Sequence, residues 1–377
     1  MGGEVRKGGR APLRGSLSLS CGLVGLPNAG KSTIFSALTG TDTLVASYPF
    51  STLGPKKGVV PVPDPRLEAL ARLLHPGKVT PATLEVVDIA GLVEGASRGE
   101  GLGNQFLSHI RAVDTVLHVV RCFAAGQVPH LAGELAPGRD ADIVNTEILL
   151  ADLELVERRV DHLKKAKRLD PKASVTELAL AERCHEALAR GQAIRALGLD
   201  DDARRVLKGW GLLSAKALCY VANVDRGDPR RLELAQELAA ASAGTPVVEV
   251  DGKLEGELAL LPADEQQAFL EELGLGESAL QRLVRVGYQL SGLITFYTVV
   301  GTELSAWSLP DGATALEAAG RIHTDLARGF VRAEVVRVEE FLATPSLTTL
   351  RERGTVRLEG REYRVSDGDI LTIRFAP

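Results

Sequence analysis

Residues 25–32 read GLPNAGKS and follow directly on a short apolar run at 17–24. The spacing is Gly25, four residues, then Gly30-Lys31-Ser32. It is that of a phosphate-binding loop between a buried strand and a helix, and it commits this part of the chain to an α/β arrangement. The glycines let main-chain N–H groups turn inward around phosphate oxygens. Lys31 is placed to reach the β- and γ-phosphates, and the Ser32 hydroxyl to complete a Mg2+ shell. Segment 33–38 has helical character, so a helix N-terminus adds its partial positive charge at the same anion. A glycine-rich turn that merely joined strand to helix would leave Lys31-Ser32 without a purpose. The loop therefore implies a nucleoside triphosphate site.

A chain of 377 residues has room for two or three domains. Its 45% apolar and 25% charged residues are those of an ordinary globular protein, and the formal net charge of −5 excludes one that is basic all over. Nucleic-acid contact, if made, has to be local or driven by shape, and DNA is not expected as a partner. Cys21, Cys122, Cys184 and Cys219 form no metal-type pair at short spacing and read as small core hydrophobes in a reducing compartment. With no run of about 18 apolar residues, no membrane helix is expected and the cytoplasm is the expected location. Residues 1–17 carry Arg6, Lys7, Arg10 and Arg14 among glycines without the apolar stretch of a signal peptide. A mobile tail, or a basic arm touching RNA phosphate, are the two readings.

Strand-like and helical patterns alternate from 17 to 123, as in a parallel sheet covered by helices. Strands are expected at 19–24, 83–88 and 115–120, and again at 217–223 and 246–250. The interruption has a different character. Ile143, Leu149, Leu150, Leu153, Val156 and Val160 recur at helical spacing between charges, and a second helical run covers 173–196. Asp170-Pro171 separates them, so an antiparallel helical hairpin projecting from the sheet is expected, with helices packed flat on the core as the alternative. Helices follow at 263–273 and 277–290. After 293 a small α+β unit is expected, with a helix at 314–326 and late strands at 334–338, 355–358, 363–365 and 370–375. The resulting division is 1–17 as tail, 18–127 with 211–292 as the nucleotide-binding domain, 128–210 as the insertion, and 293–377 as the terminal unit.

Asp88-Ile89-Ala90-Gly91 ends the second expected strand. An acidic residue there can hold Mg2+ through a water, and the Gly91 amide can sense the γ-phosphate. Between the two motifs lies ASYPFST at 46–52, where Thr52 is chosen over Ser51, Thr43 or Thr41 as a hydroxyl ligand of the metal. Guanine-specific relatives read their base with Asn-Lys-x-Asp. Here the strand ends Asn223-Val224-Asp225-Arg226, and Arg, a donor, cannot make the paired contact that the Asp carboxylate makes. Adenine is therefore favoured over guanine. Ras-like enzymes also place a water-orienting Gln after D-x-x-G, and this chain has Leu92, so slow hydrolysis is expected.

GLPNAGKST at 25–33, YPFST at 48–52, DIAGLVEGASRGEGLGNQFLSHIR at 88–111 and IHTDLARGFVRAE at 322–334 together resemble the YchF-type ATPases, a branch of the Obg-related P-loop proteins. The resemblance runs from about 19 to 375. It implies a GTPase-type α/β domain with an inserted helical hairpin and a C-terminal TGS domain of β-grasp fold, with ATP preferred to GTP and the ribosome as partner. By position it implies Asn28, Ala29, Gly30, Lys31, Ser32 and Thr33 at the phosphates. Ser32 and Thr52 would ligate Mg2+, beside the Asp88 and Gly91 already read from their motif. Asn223 and the Val224 backbone would meet the adenine. Family members replace the catalytic Gln by an aliphatic residue and assign catalysis to the His that corresponds to His109. Asn28 also resembles the Asn that holds K+ in some potassium-activated relatives. At the position of Arg226 the family usually has Glu. Two other readings stand beside a Mg2+-dependent ATPase switch: an Obg-type guanine-nucleotide switch, and a nucleotide-gated ribosome-binding module with negligible turnover.

Overall fold

The computed structural model describes residues 19–40, 55–91, 102–124, 135–169 and 175–376. Their strands, in chain order, are β1 (Ser20–Val24), β2 (Lys56–Pro61), β3 (Lys78–Thr80), β4 (Thr83–Asp88), β5 (Thr115–Cys122) and β6 (Ala217–Val224). Then come β7 (Val247–Val250), β8 (Leu293–Val300), β9 (Glu303–Pro310), β10 (Phe330–Arg337), β11 (Arg357–Glu359) and β12 (Asp369–Phe375). They make two six-stranded sheets, ordered β2-β4-β1-β5-β6-β7 and β11-β10-β12-β8-β9-β3.

The first sheet is parallel except for β2, which runs antiparallel on β4. Every residue of β1 and β5 is buried, as expected of strands covered on both faces. One cover is the helix Ala279–Leu290. Its buried Leu280, Leu283, Val284, Gly287 and Tyr288 recur at the spacing of one helical face, and Ser278 and Gln281 close a capping box at its start. Gly287 gives way to the sheet: a Cβ there would stand 3.1 Å from Cys21 Sγ. All four cysteines are buried and free.

Pro137–Leu169 is one 33-residue helix with two jobs. Ala141, Val144, Ile148 and Ala151 pack into the sheet's core. Further along, Val156, Val160 and Leu163 pack against Leu178, Ala181, Cys184 and Leu188 of the helix Val175–Ala189. Both alternatives for the helical segment thus hold, each for half of this helix. The run expected to continue to 196 ends at Ala189. A 3-10 turn at Ile194–Ala196 and a further helix, Asp201–Lys208, follow it.

In the second sheet β8 and β9 form a hairpin, and β12 lies parallel to β8. The expected helix at 314–326 is broken at His323, whose extended backbone (φ −163°) lets its ring cap Asp325 N–H at 3.2 Å. The helices are Ala315–Ile322 and Thr324–Arg328. The expected strand at 363–365 is only a single bridge, Thr314 to Arg364. β3 joins this sheet from the other half of the chain, parallel to β9, with Lys78 opposite Glu303.

Candidate nucleotide site

The loop leaves the C-terminal end of β1 and enters the helix Lys31–Thr39. Gly30 is left-handed (φ 95°), and a Cβ there would fall 2.0 Å from Asn223 Nδ2, so only glycine fits. No side chain caps this helix. Its leading N–H groups have no partner within the helix and face the position a phosphate would take.

Lys31 is buried, its Nζ donating to the carbonyls of Gly25 (3.1 Å) and Leu26 (2.9 Å). Burial pushes its pKa down to about 8, against the opposing pull of Asp88. Ser32 Oγ donates to Asp88 Oδ2 at 2.9 Å. Burial raises the Asp88 carboxyl, while Ser32 and the charges of Lys31 and Lys56 draw it back. Lys56 stands opposite Asp88 in the β2–β4 ladder. Hydroxyl and carboxylate oxygens are hard donors of the kind Mg2+ takes, so this pair fits the ion. Gly91 lies so close that a Cβ would come 2.8 Å from Pro27 N; the two motifs meet backbone to backbone.

Asn223, at the end of β6, donates from Nδ2 to Ala29 O (2.9 Å) and accepts at Oδ1 from Gly252 N (3.2 Å). Its amide thus braces the phosphate loop against the helix Gly252–Leu258. Asp251 caps that helix through Leu254 N–H (3.0 Å) and accepts from Arg226 N–H (3.0 Å), which holds the loop after β6 in place. Val224 is buried beside Asn223. Asn28 occupies a left-handed turn (φ 64°), Ala29 is buried, and Thr33 is half-buried in the first turn of the helix. His109 is half-buried in the last turn of the helix Leu102–Ala112. Thr52, and the segment 92–101 ahead of His109, lie outside the described residues.

Sequence reasoning overlooked His118. It is buried in the middle of β5, its ring 5.2 Å from that of Tyr220, and it lines a cavity of about 10 Å3 with Leu26, Pro27, Ala29 and Arg121. Its Nδ1 has no hydrogen-bond partner among the described residues. Burial, helped by the Lys31 charge, drives its pKa down to about 3, so the imidazole under the loop is neutral. A histidine inside the apolar run TVLHVVRC was the available signal.

A parallel sheet whose first strand feeds an uncapped helix through this loop, with a serine and an aspartate paired beside it, defines a P-loop nucleoside triphosphatase of the GTPase type. A family model described as a 50S ribosome-binding GTPase matches residues 20–151. Another, YchF-GTPase_C, described as a protein of unknown function, matches 293–376. The chain is 44% identical over 362 residues to the ribosome-binding ATPase YchF of Pasteurella multocida, covering 95% of this chain and 99% of that one. It is 43% identical over 364 residues to the protein of that name from Bacillus subtilis, covering 95% and 100%. The solved Schizosaccharomyces pombe YchF GTPase superposes with a TM-score of 0.82 at 32% identity, covering 96% of this chain and 99% of that one. The chain belongs to the YchF family.

Proposed function

We propose that this protein is a Mg2+-dependent ATPase that works as a nucleotide switch on the ribosome, in the cytoplasm. One observation carries the chemistry: an uncapped helix N-terminus, a buried lysine and a Ser32–Asp88 pair are gathered at the C-terminal ends of β1 and β4. The names of the relatives support ATP as substrate and the ribosome as partner. Among the described residues no helix is long and apolar enough to cross a membrane.

Ser32 and Asp88, with Thr52, would hold Mg2+, which supplies charge neutralisation on the β- and γ-phosphate oxygens when bound. Main-chain amides of Asn28 to Thr33 cradle the phosphates, and Gly91 N–H reports the γ-phosphate. Asn223, which also braces the loop, and the Val224 backbone meet the adenine. Leu92 can neither orient nor deprotonate water, so His109 takes that role. Asn28 would hold K+, and equal turnover in Na+ and K+ would remove that assignment. Residues 128–210 act as the inserted helical arm, and 293–377 as a TGS domain with Arg328, Arg332 and Arg337 facing the ribosome.

The solved Schizosaccharomyces pombe relative is named a GTPase, so guanine is the competing reading. Displacement of labelled ATP by excess GTP in Mg2+ buffer decides it: weak competition is expected, and equal competition overturns ATP preference. On the same material, His109→Ala lowers turnover at least about tenfold with little change in affinity. Unchanged turnover would clear His109 of catalysis.

A further inference from the structure

The N-terminal ends of the strands, opposite the phosphate loop, hold a second cleft. It opens where the helical insertion returns to the sheet, between the turn before β5, the start of β6 and the helix Asp201–Lys208. Its volume is about 390 Å3, within the range of small-molecule sites. Ile194, Leu199, Leu207 and Leu212 form an apolar floor, all buried.

Four cations line this floor: Arg195, Arg204, Lys208 and Lys216. None is ion-paired to a carboxylate among the described residues. Three of them donate to main-chain carbonyls instead. Arg204 Nε donates to Leu199 O at 2.8 Å, Arg195 Nη1 to Ser214 O at 3.4 Å, and Lys216 Nζ to Arg111 O at 3.1 Å and to Val113 O. A guanidinium has five N–H donors, so Arg204 keeps four for a ligand. The acidic side chain in the lining is Asp114, whose Oδ2 accepts from Ser20 N at 2.9 Å. Arg195 and Lys216 are partly buried, and burial pulls both of their pKa values down. Elsewhere on the insertion several surface cations do have carboxylate partners, as in Arg158–Glu154, Arg159–Glu177 and Lys164–Glu182. Half-desolvated positive charge beside an apolar floor is costly unless an anion answers it.

We propose that this cleft binds a small organic anion, a phosphate or carboxylate carried on an apolar or aromatic body. The body lies on the leucine floor, and the anionic group meets Arg204 and Lys208 at the mouth and Arg195 and Lys216 within. The site is separate from the nucleotide site and does not depend on the function proposed for it.

The probe is α-naphthyl phosphate, titrated calorimetrically into the full chain with the phosphate loop already filled by a non-hydrolysable ATP analogue and Mg2+. Saturable binding of one probe per chain is expected, with a Kd below about 1 mM. Arg204 and Lys208 are both exposed, so the R204Q/K208Q double variant keeps its fold. It should bind at least about tenfold more weakly, and uncharged α-naphthol should show the same loss. R183Q, outside the cleft, should bind as the parent does. Absence of saturable heat with the parent chain, or equal affinity in the double variant, would overturn the site.

Discussion

At the scale of single residues, the phosphate loop could be read from its spacing because each position has a local reason: a left-handed glycine, an ammonium, a hydroxyl. His118 showed in the sequence only as a polar residue inside an apolar run; that it lies beneath the loop is visible only in the fold. Lys31 shows how the two combine. Its ammonium is held off solvent against the Gly25 and Leu26 carbonyls, with a pKa pulled down by burial to about 8. A triphosphate would restore the charged form, so the bound complex holds the proton to higher pH. Binding must therefore take up a proton above pH 8, and affinity should fall by up to about tenfold per pH unit as pH rises from there. Below pH 8 the lysine is already charged and this dependence vanishes. Lys31→Arg keeps its charge throughout, so the variant, even if weaker, should lose the slope. Calorimetric titration with an ATP analogue between pH 7 and 9.5 measures it, and a flat profile in the parent chain contradicts the account.

Among the elements, long helices and doubly buried strands declared themselves through periodicity. The edge strands β2 and β3 did not. KKGVVP and KVT are short, lysine-bearing and largely exposed, and only neighbouring strands make them strands. The helix Pro65–Leu74 was legible and overlooked: Asp64 caps it and Pro65 opens it. Asp152 is another matter. In the long helix it looks like one more solvent-facing charge, yet it is fully buried. Its carboxylate accepts from Leu213 N (2.9 Å), Ser214 N (2.7 Å) and Ser214 Oγ (2.6 Å), 61 and 62 residues away. These bonds fasten the segment leaving the insertion to the helix that entered it. Asp152→Ala strands two buried main-chain donors, each worth about 1–3 kcal/mol, so a loss of about 3 kcal/mol is expected. Asp152→Asn, which can still accept at one oxygen, should recover part of it. Urea unfolding followed by circular dichroism reads the difference, and a change below about 1 kcal/mol would mean the insertion is fastened elsewhere.

For the molecule as a whole, the change in character near residue 293 reads as the start of a separate unit, but the core runs across it. Leu23, Val60, Leu70 and Leu84 from the first half share one cluster with Tyr297, Leu304, Val336, Phe341 and Ile370. Polar contacts reinforce this join. The Tyr297 hydroxyl donates to Asp64, Arg66 reaches Asp367 at 2.6 Å, and its guanidinium lies 5.7 Å over the Tyr297 ring. No pattern in the sequence announces that three residues at 78–80 complete a sheet more than 200 positions later. The consequence is shared stability. Tyr297 is fully buried, and Tyr297→Ala removes an aromatic side chain from the common core at a cost of about 3–5 kcal/mol. If the core is one unit, hydrogen exchange should accelerate in β1 and β4 as well as in β8 and β9, and calorimetry of the parent chain should give one cooperative transition for both sheets. Acceleration confined to the second sheet would make the terminal unit an independent body resting on the first, and the shared cluster a contact without energetic weight.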